Sequence, residues 1–210
     1  MDLDDCHSQC YDIVAVMAGY KTGVQKRITE KNNLVIFINC DNHSLNLVGV
    51  HSAKQDPVMV TFFGTIQALY VFFSRSISRW EKLVSTIPIT VKFESETRWS
   101  SRAEALKPVS KYLDELLDLL HNMVEEADET FETRSDARNL CNRMLTYDFL
   151  TLLGFGENII TRIDRIQKRL QDPSMNFHSS DLDLKALKDY FNNDRECIVN
   201  EALKIGEILC

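Results

Sequence analysis

The chain has 210 residues, of which 44% are hydrophobic, enough to form one elaborated domain or two small ones with a real core. Its formal net charge is −7, and residues 101–210 hold fourteen basic against twenty-one acidic side chains while residues 1–100 hold ten of each. Affinity for duplex DNA rests on Lys and Arg neutralising phosphates, so weak or no autonomous DNA binding is expected.

In chain order, a short stretch ending at Tyr11-Asp12-Ile13 reads as a first strand. Met17 to Gly23 then turns into a helix expected over Val24 to Lys31. Asn32-Asn33 breaks that helix, and Leu34 to Asn39 is a continuous apolar run, as expected of a strand buried on both faces. The order is strand, helix, strand, a βαβ unit with parallel strands. Ser44 to Val50 and Val58 to Ser74 read as helices, the second led by Pro57 after Asp56. Aromatic residues at 62, 63, 70, 72 and 73 make this second helix apolar most of the way round, and it is expected to lie buried against the sheet. Thr61, Gly64, Thr65 and Gln67 interrupt it, so a bilayer span is not expected.

Composition changes after Thr86-Ile-Pro-Ile89. Apolar residues from Leu106 to Val124 recur at 3-4 spacing and mark one helix, with Asp114, Glu115, Asp118, Glu125 and Glu126 on its solvent face. Further helices are expected at about 135–153, 157–171, 184–192 and 196–209, separated by Gly154-Phe155-Gly156 and by the stretch from Asp172 to Ser180. No strand signal survives past Phe93. The fold class is therefore α/β giving way to all-α, mainly helical overall, with few strands and at least one unpaired sheet edge.

Residues 40 to 46 read Cys-Asp-Asn-His-Ser-Leu-Asn and follow the apolar strand directly. They put a cysteine and a histidine three apart at a strand's carboxyl end, where open α/β sheets form their sites. Asp12 ends the other strand, so Asp12, Cys40 and His43 are expected in one neighbourhood. A structural zinc held by Cys6-x-x-x-Cys10 and Cys40-x-x-His43 is a rival reading, although the first pair's spacing is loose for a zinc knuckle. For Cys6, Cys10, Cys141, Cys197, Cys210, His121 and His178 the expectation is simple burial with a hydrogen bond. The six cysteines have no regular framework, and the N-terminus has neither the basic start nor the apolar stretch of a secretory signal. A reducing, intracellular compartment and no membrane association are expected.

Gln9-Cys-Tyr-Asp-Ile13, Met17-Ala-Gly19, Gly23-Val-Gln25, Cys40-x-x-His43-Ser-Leu-Asn-Leu47, Leu69-Tyr-x-Phe-Phe-Ser74, Arg79-Trp80 and Thr97-Arg98-Trp99-Ser-x-Arg102 form an ordered series over residues 1 to about 105. The series resembles hAT-type DNA transposases, in the branch whose animal members are MYM-type zinc-finger-like proteins. The resemblance implies a partial RNase H-like transposase core over residues 1–95 and an all-helical insertion region over residues 96–210. Such cores cleave and transfer DNA strands with two divalent metals, Mg2+ or Mn2+, held by three carboxylates. Asp12 matches the second of these, with capping of the helix that follows as the alternative. The first carboxylate belongs on a strand well upstream, but only eleven residues precede Asp12. The third is a Glu on a helix after the insertion, and nothing around Glu196, Glu201 or Glu207 matches it.

By the same resemblance Cys40 and His43 sit beside the active site, and Arg98 and Trp99 contact DNA, the guanidinium on phosphate and the indole on a base. The alternative packs Trp99 where the helical region joins the core, with Arg98 at the rim. Packing is the expectation for Arg79-Trp80. The implied function is a transposon-derived protein, either a catalytically inactive remnant or a domesticated interaction module, favoured in the nucleus. It is not expected to be an enzyme or to carry a cofactor as this chain, and its acidic helical region is expected to contact a protein partner or a second copy. The alternative is the central part of a longer, active DNA transposase using Mg2+ or Mn2+.

Overall fold

The computed structural model describes residues 3–95 and 97–209 and divides them into two compact units, residues 1–49 and 50–210. About 75% of the chain is helix and 4% strand. Within the first unit a 3-10 turn over Leu3–Asp5 precedes β1 (Ser8–Tyr11), α1 (Ala15–Ala18), α2 (Val24–Lys31) and β2 (Ile36–Asn39). The strands pair in parallel with Ser8 opposite Ile36 and Tyr11 opposite Asn39, so the βαβ order read from the sequence is what forms.

Strand alternation divides this sheet into two faces. Gln9, Tyr11, Phe37 and Asn39 share one, where the Tyr11 and Phe37 rings stack at 6.4 Å. The Gln9 amide on that face donates to the Gln25 carbonyl at 3.3 Å and the Thr29 hydroxyl at 3.4 Å, which seats α2 on it. Asn32 ends α2, and its amide donates to the Leu3 carbonyl at 2.9 Å and the Cys6 carbonyl at 3.1 Å, fastening the N-terminal turn. The other face carries Ile36 and Ile38, which are 66% and 45% exposed. The expectation that Leu34 to Asn39 is buried on both faces is therefore overturned: two strands and one helical layer cover one side only. Val35 alone of that run is buried.

α3 (Asp41–Gln55) begins immediately after β2 and runs across the division between the units. The second unit contains α4 (Pro57–Ser74), α5 (Ile77–Thr86), α6 (Trp99–Lys111), α7 (Leu113–Glu125), α8 (Phe131–Met144), α9 (Tyr147–Leu170), α10 (Phe177–Asn193) and α11 (Arg195–Leu209). α4 starts where Asp56 accepts the Val58 amide at 2.8 Å, with Pro57 in the first turn as its fixed φ favours. It is long and apolar enough to cross a bilayer by length and composition, which the sequence reading denied. Its seven buried residues, among them Phe62, Phe63, Phe72 and Phe73, pack against α5, α6, α8 and α9. α4 is thus a core helix of the second unit.

Three more boundaries differ from the sequence reading. The helix expected over Leu106 to Val124 is two helices, broken at Tyr112 (φ −128°, ψ 39°). A single non-helical residue leaves the apolar stripes on both sides intact, so periodicity does not register it. α9 runs unbroken through Gly154-Phe155-Gly156, where a break was expected. A Cβ on Gly154 would lie 2.6 Å from the Ile205 Cδ1, and one on Gly156 2.8 Å from a Leu106 methyl, so these glycines admit α11 and α6 to close contact. α5, with no helix anticipated for it, is capped by the Ser76 hydroxyl accepting the Arg79 amide at 3.4 Å. Its Leu83 is fully buried.

The connection from Ile87 to Arg98 is irregular but anchored. Ile87 and Val91 are buried, and Glu94 forms a 2.8 Å ion pair with the Arg102 Nε, both side chains about 5% exposed. The Arg102 guanidinium also lies 4.4 Å over the Phe63 ring, and Gln67 accepts the Glu94 amide at 2.9 Å. The Nε–carboxylate bond and the ring contact hold this buried pair, while the Arg102 Nη1 is buried without a hydrogen-bond partner among the described residues.

Candidate functional site

The carboxyl ends of β1 and β2 bring together three of the residues singled out in the sequence. The Cys40 amide donates to the Tyr11 carbonyl at 3.0 Å, which carries the ladder one step beyond Tyr11 and Asn39 and sets Asp12 abreast of Cys40. Alternation puts Cys10, Asp12, Ile38 and Cys40 on the open face of the sheet. Cys40 also starts α3: its carbonyl accepts the Ser44 amide at 3.0 Å and the Ser44 hydroxyl at 3.1 Å. His43 therefore lies on the first turn of that helix, half-buried like Asp12 and Cys40.

Asp12 does not cap α1. Val14 occupies the cap position and no side chain closes it. Instead the Asp12 Oδ1 is buried without a hydrogen-bond partner among the described residues, an acceptor that ordinary folding would satisfy. That orphan fits one ligand of a cation, but Mg2+ and Mn2+ require several converging hard oxygens. Among the described residues no three His, Cys, Asp or Glu side chains gather to hold a metal. The residues present thus do not fit a two-metal centre, nor do Cys6, Cys10, Cys40 and His43 assemble a zinc site.

Cys10, for which simple burial is the expectation, is exposed; it pairs with Ile38, and its thiol meets that of Cys40 diagonally across the strands. Desolvation pushes its thiol up, and the Cys40 thiol and the Asp41 carboxylate add to the rise, so it is a poor nucleophile at neutral pH. The burial expectation fails elsewhere too. Cys197, His121 and His178 are exposed on the solvent sides of their helices, and Cys6 and Cys141 are half-buried; Cys210 lies outside the described residues.

Arg98 and Trp99 belong to the second unit. Trp99 opens α6 and is only 4% exposed, which is the packed alternative of the two readings. Arg98 is exposed and lines a groove of about 400 Å³ with Lys92, Ser95, Ser101 and Glu104. The turn that presents it is fixed by the Ser101 hydroxyl, which donates to the Phe93 carbonyl at 3.1 Å and accepts the Ser95 amide at 2.8 Å. Glu104 closes the groove: the Lys92 ammonium, followed by Lys107 and Lys168, holds its carboxyl down at about 2.

Comparison of the chain with family models, curated proteins and solved structures finds no match. Sequence reasoning did not single out the meeting of the Cys10 and Cys40 thiols, which lie diagonally across the strand pair, or the convergence of Arg75 and Arg79 with the sequence-distant Arg143 on one groove.

Proposed function

We propose that this chain is a transposon-derived, hAT transposase-like protein, a partial RNase H-like core followed by a helical insertion region, that acts without catalysis as a nuclear protein-interaction module. The observation that carries the reading is the placement of Asp12 abreast of Cys40 at the carboxyl ends of two adjacent parallel strands, with His43 one helical turn on. A sheet face with Ile36 and Ile38 exposed supports a core that is part of a larger one. Two-metal strand transfer needs one ion for the attacking oxygen and one for the leaving oxygen, and Asp12 alone cannot position both. Trp99 is buried while Arg98 is exposed, beside Lys92 and Glu104 in a chain of net charge −7. Contact through the acidic helical surface suits a basic protein partner better than nucleic acid.

The test is a supercoiled-plasmid nicking and joining assay with the purified chain in Mg2+ or Mn2+, run beside Asp12→Ala. No metal-dependent product is expected from either protein. Nicking that appears with metal and disappears in Asp12→Ala would sink the inactive reading and make this the central part of an active transposase.

A further inference from the structure

We propose that the groove between α4, α5 and α8 binds a small phosphate monoester that also carries an amino or hydroxyl group. The groove has a volume of about 510 Å³, within the range of small-ligand sites, and is lined by Arg75 at the turn after α4, Arg79 of α5 and Arg143 near the end of α8. Two other arginines of this unit show the engaged state, Arg102 paired with Glu94 and Arg169 with Asp183 at 3.1 Å. Among the described residues Arg75, Arg79 and Arg143 have no ion pair, and no side-chain hydrogen bond is made by their guanidinium groups. Arg79 is nevertheless held, its guanidinium 4.5 Å over the buried Phe72 ring, which reduces the freedom it would lose on binding. Planar guanidinium forks match the oxygens of a phosphate.

The ligand is not a polyanion. Glu132 and Asp136 line the same groove, both exposed and neither paired with its arginines. They repel extended phosphate backbones but accept hydrogen bonds from an amine or hydroxyl at the far end of a small ester. Threonine hydroxyls at 130 and 133 already bond each other at 3.0 Å, which leaves the charged groups to discriminate.

The experiment is isothermal titration of the full chain at low ionic strength with O-phosphoethanolamine and, separately, with inorganic phosphate. Saturable binding of both is expected, tighter for phosphoethanolamine, and weakened about tenfold by Arg79→Gln and by Arg143→Gln. Asp136→Asn should remove the preference for phosphoethanolamine while leaving phosphate binding in place. Arg143 is exposed, so its variant keeps the test open if Arg79→Gln loosens the packing on Phe72. Absence of saturable binding of either probe up to about 10 mM, or binding unchanged in both arginine variants, would overturn the proposal.

Discussion

Gly154 and Gly206 show how single residues decide the helix packing. Gly154 sits under Ile205, and a Cβ on Gly206 would collide with the Thr151 side chain, so both positions hold the α9–α11 contact close. Gly154→Ala and Gly206→Ala should each lower stability by about 1–3 kcal/mol through overpacking, although alanine is the better helix former. Thermal denaturation followed by circular dichroism checks this; a raised midpoint would mean that the glycines are tolerated and not required. Glu104 gives a second residue-scale expectation, this time in pH. Its folded pKa of about 2 lies below the ordinary 4.5, so its contribution is fully present above about pH 4.5 and is lost as pH falls toward 2. Glu104→Gln should destabilise by about 1 kcal/mol at neutral pH, a figure reduced for a carboxylate that remains partly in water, and should match the native chain near pH 2. Equal destabilisation across that range would assign the loss to packing instead.

At the scale of elements, the irregular connection before α6 depends on the buried Glu94–Arg102 pair. Arg102→Ala would leave Glu94 charged and unpaired in the interior, at a cost of about 3–5 kcal/mol. The double change Glu94→Leu with Arg102→Met should recover most of that loss, as measured by urea denaturation, because an apolar pair of similar volume carries no desolvation penalty. If the double variant is no better than Arg102→Ala, the ion pair itself fixes the connection. The βαβ unit was legible in the sequence: Asn32 ends α2 with its side chain bonded to the N-terminal turn, and the apolar run supplies β2. The break at Tyr112 and the continuity of α9 were not, because local period cannot tell a glycine that ends a helix from one that admits a neighbouring helix.

For the whole molecule, the two compact units are unequal. Val35 is the one core hydrophobic residue within residues 3–49, whereas the second unit buries phenylalanines, leucines and isoleucines from α4 through α9. A unit without an interior of its own should open with little free energy. Hydrogen-exchange mass spectrometry at neutral pH should find the β1 and β2 amides exchanging far faster than those of α4, α7 and α9. Comparable protection in both units would show that the sheet is stabilised by something beyond its own contacts.

Residue order alone determined the parallel strand pair, the place of Cys40 and His43 at a strand-to-helix junction, and the helical character of the rest, since these follow from apolar period, turn residues and caps that act within a few positions. Only the tertiary structure decided that Asp12 stands abreast of Cys40 with an unsatisfied oxygen, that Trp99 is packed inside, that Ile36 and Ile38 face outward, and that Arg75, Arg79 and Arg143 share one groove. Each of those depends on strand register or on helices distant in the chain, and burial is a property of what finally packs against a residue, which its own neighbours in sequence do not specify.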